Sequence, residues 1–173
     1  MLVLKGLLNT VLANTQSIEK DLKVWLSNAR KVVVAGIGNS LRKDDFVGVE
    51  VVRNLQKKIS KHVYLIECET VPESFLEPII EFKPTHVLII DAALLNLKPG
   101  SSKLIEPNTI SGIPVSTHAL PLNIFSEYVT KMTGAKVALL AIQPKETDFG
   151  EGLTKELRKT VEELTNLLLK VLP

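Results

Sequence analysis

Two adjacent aspartates, Asp44 and Asp45, follow the run Gly36-Ile37-Gly38-Asn39-Ser40-Leu41. Neighbouring carboxylates repel one another unless a cation or hydrogen-bond donors stand between them. One of the pair is explained as a helix cap or a first-turn acid, since both favour a helix N-terminus. The second asks for a partner. Asp91 ends the most apolar run of the chain, Val87-Leu88-Ile89-Ile90, and His118 sits in a loop sequence, Ser116-Thr117-His118, just before Pro121. Asp45, Asp91 and His118 supply two oxygens and one nitrogen, a workable ligand set for a borderline divalent metal with coordination positions left open. Taken singly, each is also an ordinary turn or loop residue.

Other chemistries fit these residues less well. Gly36-x-Gly38 after an apolar run looks like a dinucleotide fingerprint, and Glu67 stands roughly where a ribose-binding acid belongs. The third glycine position, however, is Leu41, and two carboxylates approach the helix start that would receive a pyrophosphate. No GxxxxGK[ST] phosphate loop is present. Cys68 is a competing nucleophile, but it has no local partner and reads as a small buried apolar residue. His62 and His86 each begin an apolar run beside polar residues and are expected to be solvated.

The elements that must position these groups follow from hydrophobic periodicity. Val32-Val33-Val34-Ala35 runs into the Gly36 turn as a buried parallel strand, Lys31 to Ala35. Val47, Val51, Val52, Leu55 and Ile59 form one face of the helix after the aspartates. Further strands are expected at 62–67, 85–90, 102–105 and 136–142. Further helices are expected at 75–82, from Pro121 to about Thr133, and at 153–172. Residues 106–120, with Pro107, Gly112 and Pro114, read mostly as loop. Strands alternate with helices, so the fold class is α/β: a three-layer α/β/α sandwich around a mostly parallel, twisted sheet. Residues 1–29 carry apolar positions at helical spacing and read as an extra N-terminal helical segment; 30–173 reads as one domain.

Composition narrows the class. The chain has 173 residues, 45% of them hydrophobic and 23% charged, enough for a substantial single core. A net charge of +2, with basic and acidic residues interspersed, argues against a nucleic-acid partner. One cysteine excludes an internal disulfide and a four-cysteine zinc site, and suits a reducing cytoplasm. No apolar run reaches the roughly 18 residues of a membrane span. The N-terminus lacks the pattern of a signal peptide. The expectation is a cytoplasmic monomer without membrane insertion.

Several stretches, in order, resemble one family. Gly36-Ile37-Gly38-Asn39-Ser40-Leu41-x-x-Asp44-Asp45-x-x-Gly48 is similar to the N-terminal signature of the [NiFe]-hydrogenase maturation proteases. The resemblance continues through Thr70-Val71-Pro72-Glu73, Lys83 to Ala92, Ser116-Thr117-His118-Ala119-Leu120-Pro121-Leu122 and Ala141-Ile142-Gln143-Pro144. It covers about residues 31–170 and is strongest for the subgroup that processes hydrogenase-3-type large subunits. Residues 1–29 lie outside it, and Phe46 stands where the family usually has glycine. The resemblance implies an endopeptidase that removes the C-terminal extension of a hydrogenase large-subunit precursor after nickel insertion. Asp45, Asp91 and His118 match the family's metal-binding and catalytic residues, with nickel supplied by the precursor. Gly36 and Gly38 are expected to leave room for the substrate backbone. Asn39 would orient the substrate or hold the turn. Asp44 or Asp45 would be a general base. A non-cleaving, nickel-dependent checkpoint chaperone for the same precursor is the alternative. The peptidyl-tRNA hydrolases resemble the chain only at the Gly-x-Gly-Asn turn.

Overall fold

A computed structural model describes residues 17–56, 58–106 and 121–173. Residues 17–25 form helix α1. Then come β1 (Val32–Ile37), a short 3-10 helix (Lys43–Phe46), α2 (Val47–Leu55), β2 (Val63–Glu69), a second 3-10 turn (Pro72–Phe75) and α3 (Leu76–Phe82). The rest is β3 (His86–Ala92), β4 (Ser102–Ile105), α4 (Leu122–Thr133), β5 (Lys136–Ile142) and α5 (Lys155–Val171). The five strands are ordered β2-β1-β3-β5-β4. All pairs are parallel except β4, which runs antiparallel on the edge beside β5.

The strand period of two sorts the apolar residues onto the two faces of this sheet. Val32, Val34, Leu88, Ile90, Leu140 and Ile142 meet Val51 and Leu55 of α2 and Leu157, Leu164 and Leu168 of α5 in one core. Val33, Ala35, Ile37, Val87, Ile89 and Leu139 meet Ile79 of α3 and Phe125 and Val129 of α4 in the other. Covering both faces is why β1, β3 and nearly all of β5 are buried along their length, as parallel strands require. The three-layer α/β/α arrangement is the architecture expected of the sequence.

Ile18, Leu22, Trp25 and Leu26 are buried in the α2/α5 core. Helix α1 therefore packs as part of the domain, on the apolar face its spacing defines. Residues 1–16 of the expected helical segment and 107–120 of the expected loop lie outside the described residues.

Three strands run further than the apolar runs suggest. β1 continues through Gly36 and Ile37, because Gly36 is paired on both sides, with Glu67 of β2 and Ile90 of β3. A register shift between Gly36 and Ile37 brings Ile37 opposite Glu69. So β2 takes in Cys68 and Glu69. β3 includes Asp91 and Ala92, paired with Ala141 and Ile142 of β5. Backbone pairing, not side-chain polarity, ends these strands.

Candidate active site at the carboxyl edge of the sheet

The Gly-rich turn is built for the chain's own packing. A Cβ at Gly36 would stand 2.4 Å from the carbonyl oxygen of Gly48, and one at Gly48 would stand 2.1 Å from that of Ile90 and 2.5 Å from that of Ile37. No real side chain tolerates such approaches, so the N-terminus of α2 rests directly on the carboxyl ends of β1 and β3. Gly38 has φ +147°, and a Cβ there would lie 2.0 Å from the carbonyl oxygen of Asp45. The space expected for a substrate backbone beside Gly36 and Gly38 is thus filled by the turn and helix that carry the aspartates. The consequence is positional. Gly48 touches Ile90, the residue before Asp91, and Asp45 lies three residues before Gly48. The two acids are delivered to the same edge by adjacent strands.

Asp45 is 6% exposed, and its Oδ2 accepts the N–H of Asn39 at 2.9 Å. Asn39 Oδ1 in turn accepts the N–H of Leu41 at 2.9 Å, an Asx turn. Asn39 thus holds the turn and orients the Asp45 carboxylate. Asp91 is 1% exposed, and its Oδ1 accepts the N–H of Ala92 at 2.8 Å. Each acid has a carboxylate oxygen held by a backbone amide, Asp45 in the 3-10 helix after β1 and Asp91 near the end of β3, which orients the carboxylate before any ligand arrives.

Asp44 has a different position. It is fully buried, and its carboxylate accepts four hydrogen bonds from across the fold: the N–H groups of Lys145 (2.9 Å), Glu146 (3.0 Å) and Thr154 (2.7 Å), and the Thr154 hydroxyl (2.9 Å). Its own N–H donates to the carbonyl of Glu146. Thr154 is the N-cap residue of α5, so Asp44 also sits at that helix's N-terminus, where a carboxylate is favoured. A carboxylate so occupied is a latch between the aspartate turn and the loop after β5, with three of its four bonds on Oδ2 and one on Oδ1.

Two further expectations find their place. Cys68 is buried within β2, and burial, with the nearby Glu73 charge, pushes its thiol up to about 12. It is protonated at neutral pH and no nucleophile. His86 is buried, not solvated: its ring lies edge-on to Trp25, 4.9 Å between centroids. Burial, then Lys136 beside it, hold its pKa below the usual histidine value. Polar neighbours in sequence suggested solvent, but α1 covers this end of β3. His118 lies outside the described residues. Among the described residues no three His, Cys, Asp or Glu side chains come together as a metal-binding group. The described share of the expected trio is therefore the Asp45–Asp91 pair.

Sequence reading missed Gln143 as anything more than part of a motif. Its amide is buried and ties the loop after β3 to the chain leaving β5: Oε1 accepts the N–H groups of Leu95 (2.7 Å) and Leu97 (3.3 Å), and Nε2 donates to the carbonyl of Pro144 at 3.0 Å. A polar residue at the end of an otherwise apolar strand was the available signal.

Comparison with known proteins shows the family. The family model described as hydrogenase maturation protease matches residues 49–171. A candidate hydrogenase maturation protease of Methanocaldococcus jannaschii is 39% identical over 155 residues, 85% of this chain and 91% of that protein. The hydrogenase 3 maturation protease of Escherichia coli K12 is 30% identical over 131 residues, 75% of this chain and 83% of that one. The crystal structure of the [NiFe] hydrogenase maturation protease HycI from Thermococcus kodakarensis matches with a TM-score of 0.82 at 32% identity, covering 87% of this chain and 97% of that chain. With its fold and most of its length shared with these enzymes, the chain belongs to the hydrogenase maturation protease family and is an endopeptidase.

Proposed function

We propose that this endopeptidase removes a C-terminal extension from the large-subunit precursor of a [NiFe] hydrogenase after nickel has been inserted. In this reading Asp45, Asp91 and His118 engage the nickel that the precursor carries, and the metal reports that the precursor is ready. The observation that carries it is the pair of buried, pre-oriented carboxylates, Asp45 in the 3-10 helix that follows β1 and Asp91 near the end of the adjacent β3. Two carboxylates and an imidazole suit a borderline divalent ion. Bound nickel would polarise the scissile carbonyl or activate water. The chain's own part is to hold the cleavage point beside the acids. With the Asp44 oxygens committed to the latch, Asp45 is the better placed general base.

A protein substrate suits the surroundings. Leu41, Leu94, Leu97 and Phe149 are exposed on the loops that follow β1, β3 and β5, the same edge as the acids. Exposed apolar side chains gathered near a site mark a surface for protein contact.

The test is to incubate nickel-loaded and nickel-free precursor with the wild type and with Asp45→Ala, Asp91→Ala and His118→Ala, and to measure intact mass. Shortening of the nickel-loaded precursor by the wild type alone is expected. Equal shortening by all four proteins would overturn the assignment. A wild type that binds the precursor and leaves its mass unchanged would favour the checkpoint reading.

A further inference from the structure

We infer that Gln143 and Asp44 are positioning residues for the reaction, the two ends of a brace that sets the placement of Asp45 relative to Asp91. The inference rests on the reading of those two acids as the site. In the sheet, β3 lies between β1 and β5. Asp45 follows β1, Asp91 ends β3, and the brace is the chain leaving β5. To reach the β1 turn, that chain must cross the carboxyl end of β3.

Its contacts run without a gap. The carbonyl of Ile142 accepts the N–H of Ala93, two residues beyond Asp91, at 2.8 Å. Gln143 then grips the same loop with its side chain at Leu95 and Leu97, and with its backbone at Gly100 and Ser101, both 2.8 Å. Its Nε2 turns to Pro144. The next two N–H groups, of Lys145 and Glu146, end on Asp44 Oδ2. Further along, Lys43 N–H donates to the carbonyl of Gly150, and Gly150 N–H to that of Leu41, both 2.9 Å. Every member is backbone, or a buried side chain with few rotamers left. A shift of the loop after β3 is therefore passed to the aspartate turn and not absorbed. Catalysis needs its groups held to within fractions of an ångström, and a displacement near 1 Å costs about 100-fold in rate.

The experiment measures kcat and KM for cleavage of the nickel-loaded precursor by the wild type, Gln143→Met, Gln143→Glu and Thr154→Val, at a temperature where circular dichroism shows each fully folded. Gln143→Met removes both polar ends of the amide at similar volume. Gln143→Glu keeps the acceptor for Leu95 and Leu97. Thr154→Val removes one donor from Asp44 and keeps its N–H. A positioning role predicts kcat about 100-fold lower in Gln143→Met with KM within about twofold, at least tenfold recovery in Gln143→Glu, and an intermediate loss in Thr154→Val. Folded Gln143→Met with wild-type kcat would overturn the inference. If Gln143→Met does not fold, wild-type kcat in both other variants would overturn it. Failure of the nickel reading shows separately, as equal wild-type cleavage of nickel-free precursor.

Discussion

The two neighbouring aspartates differ by their partners and not by their chemistry. Asp45 gives one oxygen to a backbone amide of its own turn, while Asp44 spends both on residues about a hundred positions away. Four donors directed at one buried carboxylate offset the repulsion that the doubled acid poses, with the Lys43 and Lys145 charges nearby. Cys68 shows the converse: a potentially reactive group silenced by burial. With its pKa pushed up to about 12, the native protein is expected to retain full cleavage activity after treatment with iodoacetamide at neutral pH, and mass analysis should show Cys68 unmodified. Rapid alkylation with loss of activity would contradict its placement. The local half of this site was legible in sequence, since Gly-x-Gly-Asn and paired aspartates lie within ten residues of one another. The latch was not, because nothing local to Asp44 names Lys145, Glu146 or Thr154 as its donors.

At the scale of elements, the seating of α2 on the strand ends decides where Asp45 stands. Gly48 makes that contact, and a Cβ there would lie 2.1 Å and 2.5 Å from two backbone oxygens that cannot swing aside. Gly48→Ala is expected to lower the unfolding free energy by about 2–3 kcal/mol, measured by urea denaturation, and to reduce cleavage in the fraction that remains folded. Unchanged stability would mean that the helix is seated less tightly. Hydrophobic periodicity foretold the elements, and all five strands were read from the sequence, β4 and β5 with their bounds and β1, β2 and β3 in their cores. The ends of these three were not, because Gly36, Cys68, Glu69 and Asp91 are held in strands by pairing with neighbours that no single run reveals. The glycines were read as room for a ligand; the room belongs to α2.

Across the whole molecule, α1 closes the amino end of the sheet as the loops after β1, β3 and β5 build the carboxyl end. Among the described residues no helix is long and apolar enough to cross a membrane. The sequence defined the apolar face of α1, but not that Trp25 lands on His86. Burial of that histidine has a pH consequence. Its pKa is lowered on folding, so below the unfolded value, roughly 6.5, the unfolded chain binds the proton more readily than the folded one. The contribution is complete above that value and is lost as pH falls below it. Between pH 7.5 and 5.5 the Tm of the wild type is expected to fall further than that of His86→Phe, which keeps a ring against Trp25. Parallel Tm curves would show that His86 does not titrate in the folded range.

The central claim is that Asp45 and Asp91 act together on the nickel of a precursor. The most direct measurement is the single-turnover rate at which the precursor loses C-terminal mass, with and without nickel, for the wild type and for the near-isosteric Asp45→Asn and Asp91→Asn. Rapid shortening of nickel-loaded precursor by the wild type is expected, with none of nickel-free precursor and a rate lower by at least about 100-fold in either variant. Shortening at wild-type rate by both variants, or equal rates on nickel-loaded and nickel-free precursor, would contradict it.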